Sequence, residues 1–201
     1  GRTLAAQVEA GLDRFLAFAE KARAGRWLGH TQQAITDVVN LGMGGSDLGP
    51  RMACHALGVQ GSDPECSLRV HFVSHPDPLA MQNALNGLDP QRTAFVVQSK
   101  SFTTPETLAM AASARRWLQD GACPESGLHR HLVAVTARPA LAQAQGIARK
   151  QLWNGRVDVT FERKILALVR GLGPQQRHDG FQLFFWLKWQ FFQLKAVGLD
   201  L

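Results

Sequence analysis

Hydrophobic positions along the chain follow two rhythms, and the switches between them set out the predicted elements. Leu4, Val8, Leu12, Phe15, Leu16 and Phe18 fall near helical spacing, so residues 2–24 read as a helix that Gly25 stops. A loop over 25–31 leads to a short apolar run, Ile35–Leu41, the first predicted strand. A cluster of glycines follows, then a helix running to Leu57 that carries Pro50 in its first turn, where proline loses no intrahelical bond. Residues 58–65 form a polar connection before the second strand, Leu68–Val73. The turn Ser74-His75-Pro76-Asp77-Pro78 opens a short helix through Leu85, and Gly87-Leu88-Asp89-Pro90 breaks the chain again. Thr93–Gln98 reads as the third strand, Glu106–Trp117 as a helix, Leu132–Val135 as the fourth strand and Pro139–Gln145 as a short helix.

Strand, turn and helix thus alternate four times. Sustained alternation predicts an α/β fold, a three-layer sandwich around a mainly parallel sheet. The strands are short apolar runs, as expected when helices cover both faces. The predicted division is an N-terminal helix and loop (1–34), the α/β domain (35–152) and a differently composed ending (153–201), read as a mostly helical tail. Within that ending, Phe181–Leu194 packs seven aromatics into fourteen residues. Lys188, Lys195 and three glutamines argue against a membrane span. A helix this apolar needs a partner surface or a buried place.

Two turns carry the candidate chemistry. The first is Gly42-Met43-Gly44-Gly45-Ser46, between the first strand and its helix. Glycines there let backbone approach an anion, and Ser46 with nearby N–H groups can donate to it. The structural alternative is a tight turn with Ser46 as helix cap. A dinucleotide fingerprint fails because Asp47 stands where its third glycine belongs, and no Gly-Lys-Ser/Thr of a P-loop follows. The second turn is Ser99-Lys100-Ser101-Phe102-Thr103-Thr104, after the third strand. Its hydroxyls and turn amides can ring a phosphate; alternatively Thr103 and Glu106 form a capping box, with Pro105 in the helix's first turn. Both readings of this turn can hold together. In open parallel sheets ligands sit beyond the strands' carboxyl ends, so the two turns are expected to converge. Glu106 is better explained as a capping residue than as a general base. His30, His55, His71 and His75 show no metal-ligand spacing, and neither do Cys54, Cys66 and Cys123. No nucleophile elbow, zinc motif or catalytic triad is visible.

Composition narrows the class further. The 201 residues are 45% hydrophobic and 19% charged, which fits a globular chain with a real core. A net charge of +6 suits an anionic ligand. No basic block or basic-aromatic interleaving supports a nucleic-acid partner. An odd cysteine count without a secretory leader leads to the expectation of a reducing, cytoplasmic setting.

The segment Ile35-Thr36-Asp37-Val38-Val39-Asn40-Leu41-Gly42-Met43-Gly44-Gly45-Ser46-Asp47-Leu48-Gly49-Pro50 closely resembles the opening of the first sugar-isomerase (SIS) domain of the glucose-6-phosphate isomerase family. Phe72-Val73-Ser74, Asp77-Pro78, Leu88-Asp89-Pro90, Ser99-Lys100-Ser101-Phe102-Thr103-Thr104-Pro105-Glu106-Thr107, His131–Val135 and Gly146-Ile147 follow in the family's order. The resemblance spans residues 2–152 and implies an SIS-type fold, flavodoxin- or Rossmann-like. It implies aldose–ketose isomerisation of glucose 6-phosphate and fructose 6-phosphate, in glycolysis and gluconeogenesis. The family works through a cis-enediol with a glutamate base and without metal or organic cofactor. By position it places Gly45 and Ser46 against the sugar phosphate, and Ser99, Lys100, Ser101 and Thr104 around it, with Phe102 and Thr103 in the same loop. Ser101 stands where the family usually has threonine, and keeps the hydroxyl. Gln33 replaces a common glycine and Pro105 a common glutamine. Full-length members are homodimers. The family's Gly-Gly-Arg motif finds only a poor echo in Asn154-Gly155-Arg156, and no role transfers to Arg156. The second sugar-isomerase domain, with the glutamate base, the ring-opening histidine and a terminal lysine, is expected to be missing. No catalytic residue is therefore assigned; the expected partner is a small sugar phosphate, and the chain is expected to carry the phosphate-binding half-site without turnover by itself, the alternatives being a non-catalytic sugar-phosphate-binding module or an incomplete fragment without function.

Overall fold

The computed structural model describes residues 17–56, 68–147 and 152–154. The predicted C-terminal segment after residue 154 and most of the first predicted helix lie outside the described residues, while 153 and 154, placed in that segment, belong to a strand of the sheet; residues 17–23 are helical, here α1. The remaining elements are β1 (Asp37–Leu41), α2 (Gly45–Ala56), β2 (Arg69–Val73), α3 (Pro78–Leu85), β3 (Thr93–Gln98) and α4 (Pro105–Asp120). A 3₁₀ turn (Glu125–Arg130), β4 (Leu132–Thr136), α5 (Pro139–Ala144) and β5 (Leu152–Asn154) complete them. The strands form one sheet of order β2-β1-β3-β4-β5, and every pairing in it is parallel.

Alternation along the strands divides the core into two. Val39 and Leu41, Phe95 and Val97, and Leu132 and Ala134 point to one face, where Met81 and Leu85 of α3 and Met110, Ala114 and Leu118 of α4 meet them. Ala94 and Val133 point to the other, against Ala22 of α1, Trp27 and Ile35. Period-two alternation with burial on both sides is what a sheet between two helical layers requires. Phe95 and Trp117 make an edge-to-face contact in the first core, with centroids 5.8 Å apart.

The predicted four strands are present, and β5 extends the sheet by a strand that the sequence pattern did not show. The start of α2 needs correction. The helix begins at Gly45, so Pro50 lies in its interior and not in its first turn. Proline has no N–H to give to the carbonyl four residues back, which is that of Ser46. The Asn40 side-chain amide donates to that carbonyl instead, at 3.1 Å. A buried polar residue in β1 thus supplies the bond that the proline removes.

At the amino ends of the strands, buried Asp37 accepts bonds from Arg69 (2.8 Å), His71 Nε2 (2.9 Å) and the Thr36 hydroxyl (2.9 Å). Burial pushes its carboxyl pKa up, but these bonds outweigh burial and hold it below the ordinary value. Asp37 and Arg69 are register partners across β1 and β2, so the cluster staples the edge strand to the sheet.

Two outcomes are expected. Asn40→Ala should cost about 1–3 kcal/mol in chemical denaturation, the range for leaving a buried acceptor unpaired. The cost should shrink in a Pro50→Ala background, where a backbone N–H returns to the Ser46 carbonyl; an unchanged cost would refute the compensation. Asp37 titrates lower folded than unfolded, so its contribution is complete above about pH 4 and is lost as pH falls through the folded value. Asp37→Asn should therefore lower Tm at neutral pH and flatten its decline in acid.

Candidate functional site

The strand order reverses between β1 and β3: the chain leaves β1 toward β2 on one side and β3 toward β4 on the other. Such a switch point opens a crevice at the carboxyl ends of the strands. A cavity of about 410 Å³ lies there, lined by Met43 and Ser46 after β1, Gln98–Ser101, Thr104 and Thr107 around the start of α4, and Ala137 and Arg138 after β4. Three βα turns converge on it.

The first turn is shaped by contact. A β-carbon on Gly42 would stand 2.7 Å from the Ser46 carbonyl oxygen, so a side chain there would push the start of α2 away. Ser46 is not the helix cap: it lies in the first turn of α2, and its N–H donates to the Met43 carbonyl at 3.0 Å. Its side chain has no capping duty and lines the cavity. Asp47, buried beside it, is paired with Arg51 at 2.9 Å and does not line the cavity.

The second turn is held from below. Phe102 adopts φ +53°, a left-handed conformation that is unusual for a bulky residue. Its ring is 3% exposed and belongs to the core beneath the loop. Its N–H donates to the Ser99 hydroxyl at 3.1 Å. Ser99, itself buried, also lies 3.3 Å from the Thr104 hydroxyl. The Lys100 carbonyl accepts from Thr136 Oγ1 at 3.2 Å and from the Ala137 N–H at 3.1 Å, which ties the loop to the end of β4.

The predicted capping box does not form. Helix α4 is capped by Thr104, one residue later than predicted, and without a side-chain capping bond. Glu106 therefore sits second in the helix, exposed, and reaches no cap. Thr103 uses its hydroxyl and its N–H to donate to Ser101 Oγ, at 2.9 and 3.3 Å. The first-turn amides of α4, left without a side-chain cap, lie at the end of the helix dipole that favours an anion. Pro105 occupies the first turn as predicted.

Of the residues singled out in the sequence, Ser46, Ser99, Lys100, Ser101 and Thr104 line one cavity. Gly45, Phe102 and Thr103 do not line it. Phe102 anchors the loop in the core, and Thr103 orients Ser101. Arg138, Thr107, Gln98 and Met43 line the cavity although the sequence reading passed over them. Arg138 had a signal: in a parallel sheet the turn after β4 ends on the same edge as the other two. Among the described lining residues there are two cations and five hydroxyls, but no carboxylate and no imidazole. No described helix is long and apolar enough to cross a membrane.

Fold and cavity define a doubly wound parallel α/β domain with a hydroxyl- and cation-lined pocket at its switch point. Comparison with known proteins gives the family. The family model of phosphoglucose isomerase matches residues 1–160, and the chain belongs to that family. It is 41% identical over 175 residues to a glucose-6-phosphate isomerase of Paraburkholderia xenovorans, covering 85% of this chain and 32% of that protein. It is 49% identical over 137 residues to glucose-6-phosphate isomerase 1 of Cupriavidus pinatubonensis, covering 68% of this chain and 25% of that protein. Among solved structures, a glucose-6-phosphate isomerase from Chlamydia trachomatis superposes with a TM-score of 0.52 at 33% identity, covering 67% of this chain and 24% of that one. The chain spans about a third or less of the length of these relatives.

Phe102→Ala should destabilise the chain by about 3–5 kcal/mol, as for other buried aromatics. It should also weaken any ligand of the cavity, although Phe102 does not line it. Denaturant titration read beside ligand affinity checks both; a variant that loses stability but keeps full affinity would show that the ring does not set the loop.

Proposed function

We propose that the cavity binds the phosphate of glucose 6-phosphate or fructose 6-phosphate, and that this chain supplies the phosphate-binding half of an aldose–ketose isomerase site. The observation that carries this reading is the lining itself: Ser46, Ser99, Ser101, Thr104 and Thr107 with Lys100 and Arg138, and no carboxylate among the described lining residues. Hydroxyls and helix amides donate to phosphate oxygens, and the two cations add charge that a neutral sugar would not need. The sugar chain would extend from the anchored phosphate toward the open side of the cavity. The membership in the phosphoglucose isomerase family supports the choice of substrate.

Isomerisation moves a proton between adjacent carbons, which requires a positioned base. The described lining holds no such group, so the base must come from outside it. A second reading, a sugar-phosphate-binding module without chemistry, draws on the same observation. The two separate when the chain is combined with the remaining portion of a phosphoglucose isomerase: the half-site reading expects activity to appear, the binding-module reading does not.

Calorimetric titration tests the phosphate assignment. Fructose 6-phosphate should bind and fructose should not. Ser99→Ala should weaken binding by roughly 10- to 100-fold, the value of about 1.5–3 kcal/mol for a hydrogen bond to a charged group. Equal affinity for fructose and its phosphate would rule the assignment out. A coupled assay of this chain alone should stay at background, and turnover above it would overturn the half-site reading.

A further inference from the structure

We propose that His30, Cys123 and His131 form a three-ligand site for a zinc-type divalent cation, at the end of the sheet opposite the phosphate cavity. One ligand atom from each of the three residues lies within 4.8 Å of the others. They come from the loop before β1, the segment after α4 and the residue before β4, so about a hundred residues of sequence separate the first from the other two.

His131 is already oriented for the task. It is fully buried, and its Nδ1 lies 2.7 Å from the Thr93 carbonyl oxygen. A carbonyl only accepts, so Nδ1 carries the proton and Nε2 presents its lone pair. Metal-ligating histidines are held in this way, by a carbonyl or carboxylate on the far nitrogen. The His131 Nε2 lies 3.0 Å from His30 Nδ1, close to the separation of about 3.3 Å that two nitrogens have on one tetrahedral zinc. Among the described residues the Cys123 thiol donates one long bond, to the Pro124 carbonyl at 3.6 Å, which holds it weakly against turning toward the two rings.

Gly127 closes the cluster. A β-carbon there would stand 2.8 Å from His30 Cβ and 3.3 Å from Cys123 Sγ, and would force the two apart. Two imidazoles and a thiolate select zinc or a metal like it over magnesium or calcium. Zinc bonds of about 2.0–2.3 Å require the sulfur to close by up to about an ångström. The cation must displace two donors from that lone pair, the His30 backbone N–H at 2.9 Å and the His30 Nδ1–H at 3.0 Å, and the ring proton moves to His30 Nε2 as Nδ1 takes up the metal. Binding converts the Cys123 thiol to thiolate and releases one proton per metal. Affinity should therefore rise with pH, because the metal competes with that proton. The bound cation would fasten the loop before β1 to the segment that leads into β4.

Cobalt(II), the spectroscopic stand-in for zinc, tests the site on the 201-residue chain. Titration should produce a thiolate-to-cobalt charge-transfer band in the near ultraviolet and tetrahedral d–d bands in the visible, and zinc should abolish both. Cys123→Ser should remove the charge-transfer band and the proton release, whereas Cys54→Ser and Cys66→Ser should keep them. His30→Ala, which leaves the buried ring of His131 in place, should weaken binding at least about tenfold. Circular dichroism on each variant establishes that the fold is retained. A folded chain with no charge-transfer band at millimolar cobalt, or a band that survives Cys123→Ser, would overturn the proposal.

Discussion

The parallel pairing of β1 with β3 is the constraint on which the rest of the domain depends. These strands are neighbours in space but not in sequence, and their outgoing chains cross to opposite sides of the sheet. Right-handed crossovers then place α2 and α4 on opposite faces. Neither helix can cover the carboxyl edge between the two strands, and the cavity occupies that uncovered edge. The register, with Leu41 beside Val97, brings the glycine turn level with Ser99. A slip of one residue would turn each strand's core side chains to the wrong face and separate the two turns.

The cavity's own geometry is locally unfavourable, and the stabilising contacts lie outside it. Phe102 holds a left-handed backbone conformation of a kind that costs of order 1–3 kcal/mol. Burial of its ring in the core offsets that cost and fixes where Ser99 and Ser101 point. Pro50 deprives α2 of an internal bond, and Asn40 replaces it from β1. In both cases a residue that touches no ligand decides the position of one that lines the cavity. The Asp37 cluster at the opposite sheet edge secures β2, which the single flank of an edge strand would otherwise leave weakly held.

Most of the layered fold was legible in the sequence, because buried parallel strands are short apolar runs bounded by glycine, proline and polar turns. Thr93–Gln98 and the strand starting at Leu132 were read nearly to the residue. Strand β5 was not, since its three residues carry no periodicity. The start of α2 was misplaced because proline normally marks a first turn, and the side chain that tolerates it in the interior comes from another element. The hydroxyl-rich turns were visible as motifs, but the division of labour within them was not. Phe102 and Thr103 share a loop with the cavity-lining residues and yet serve to position it, a distinction that depends on which way a side chain faces. Arg138 and the His30–Cys123–His131 cluster escaped notice for a common reason: long-range contacts bring together residues that no local spacing connects.

The most direct measurement is a backbone amide NMR titration of the chain with fructose 6-phosphate. The largest shifts should fall on Ser46, on the loop from Ser99 to Thr104 and on the first turn of α4, while Thr36, Asp37 and Thr93 at the other end of the sheet should hardly move. Shifts concentrated away from the carboxyl ends of β1, β3 and β4, or none at saturating sugar phosphate, would contradict the phosphate assignment.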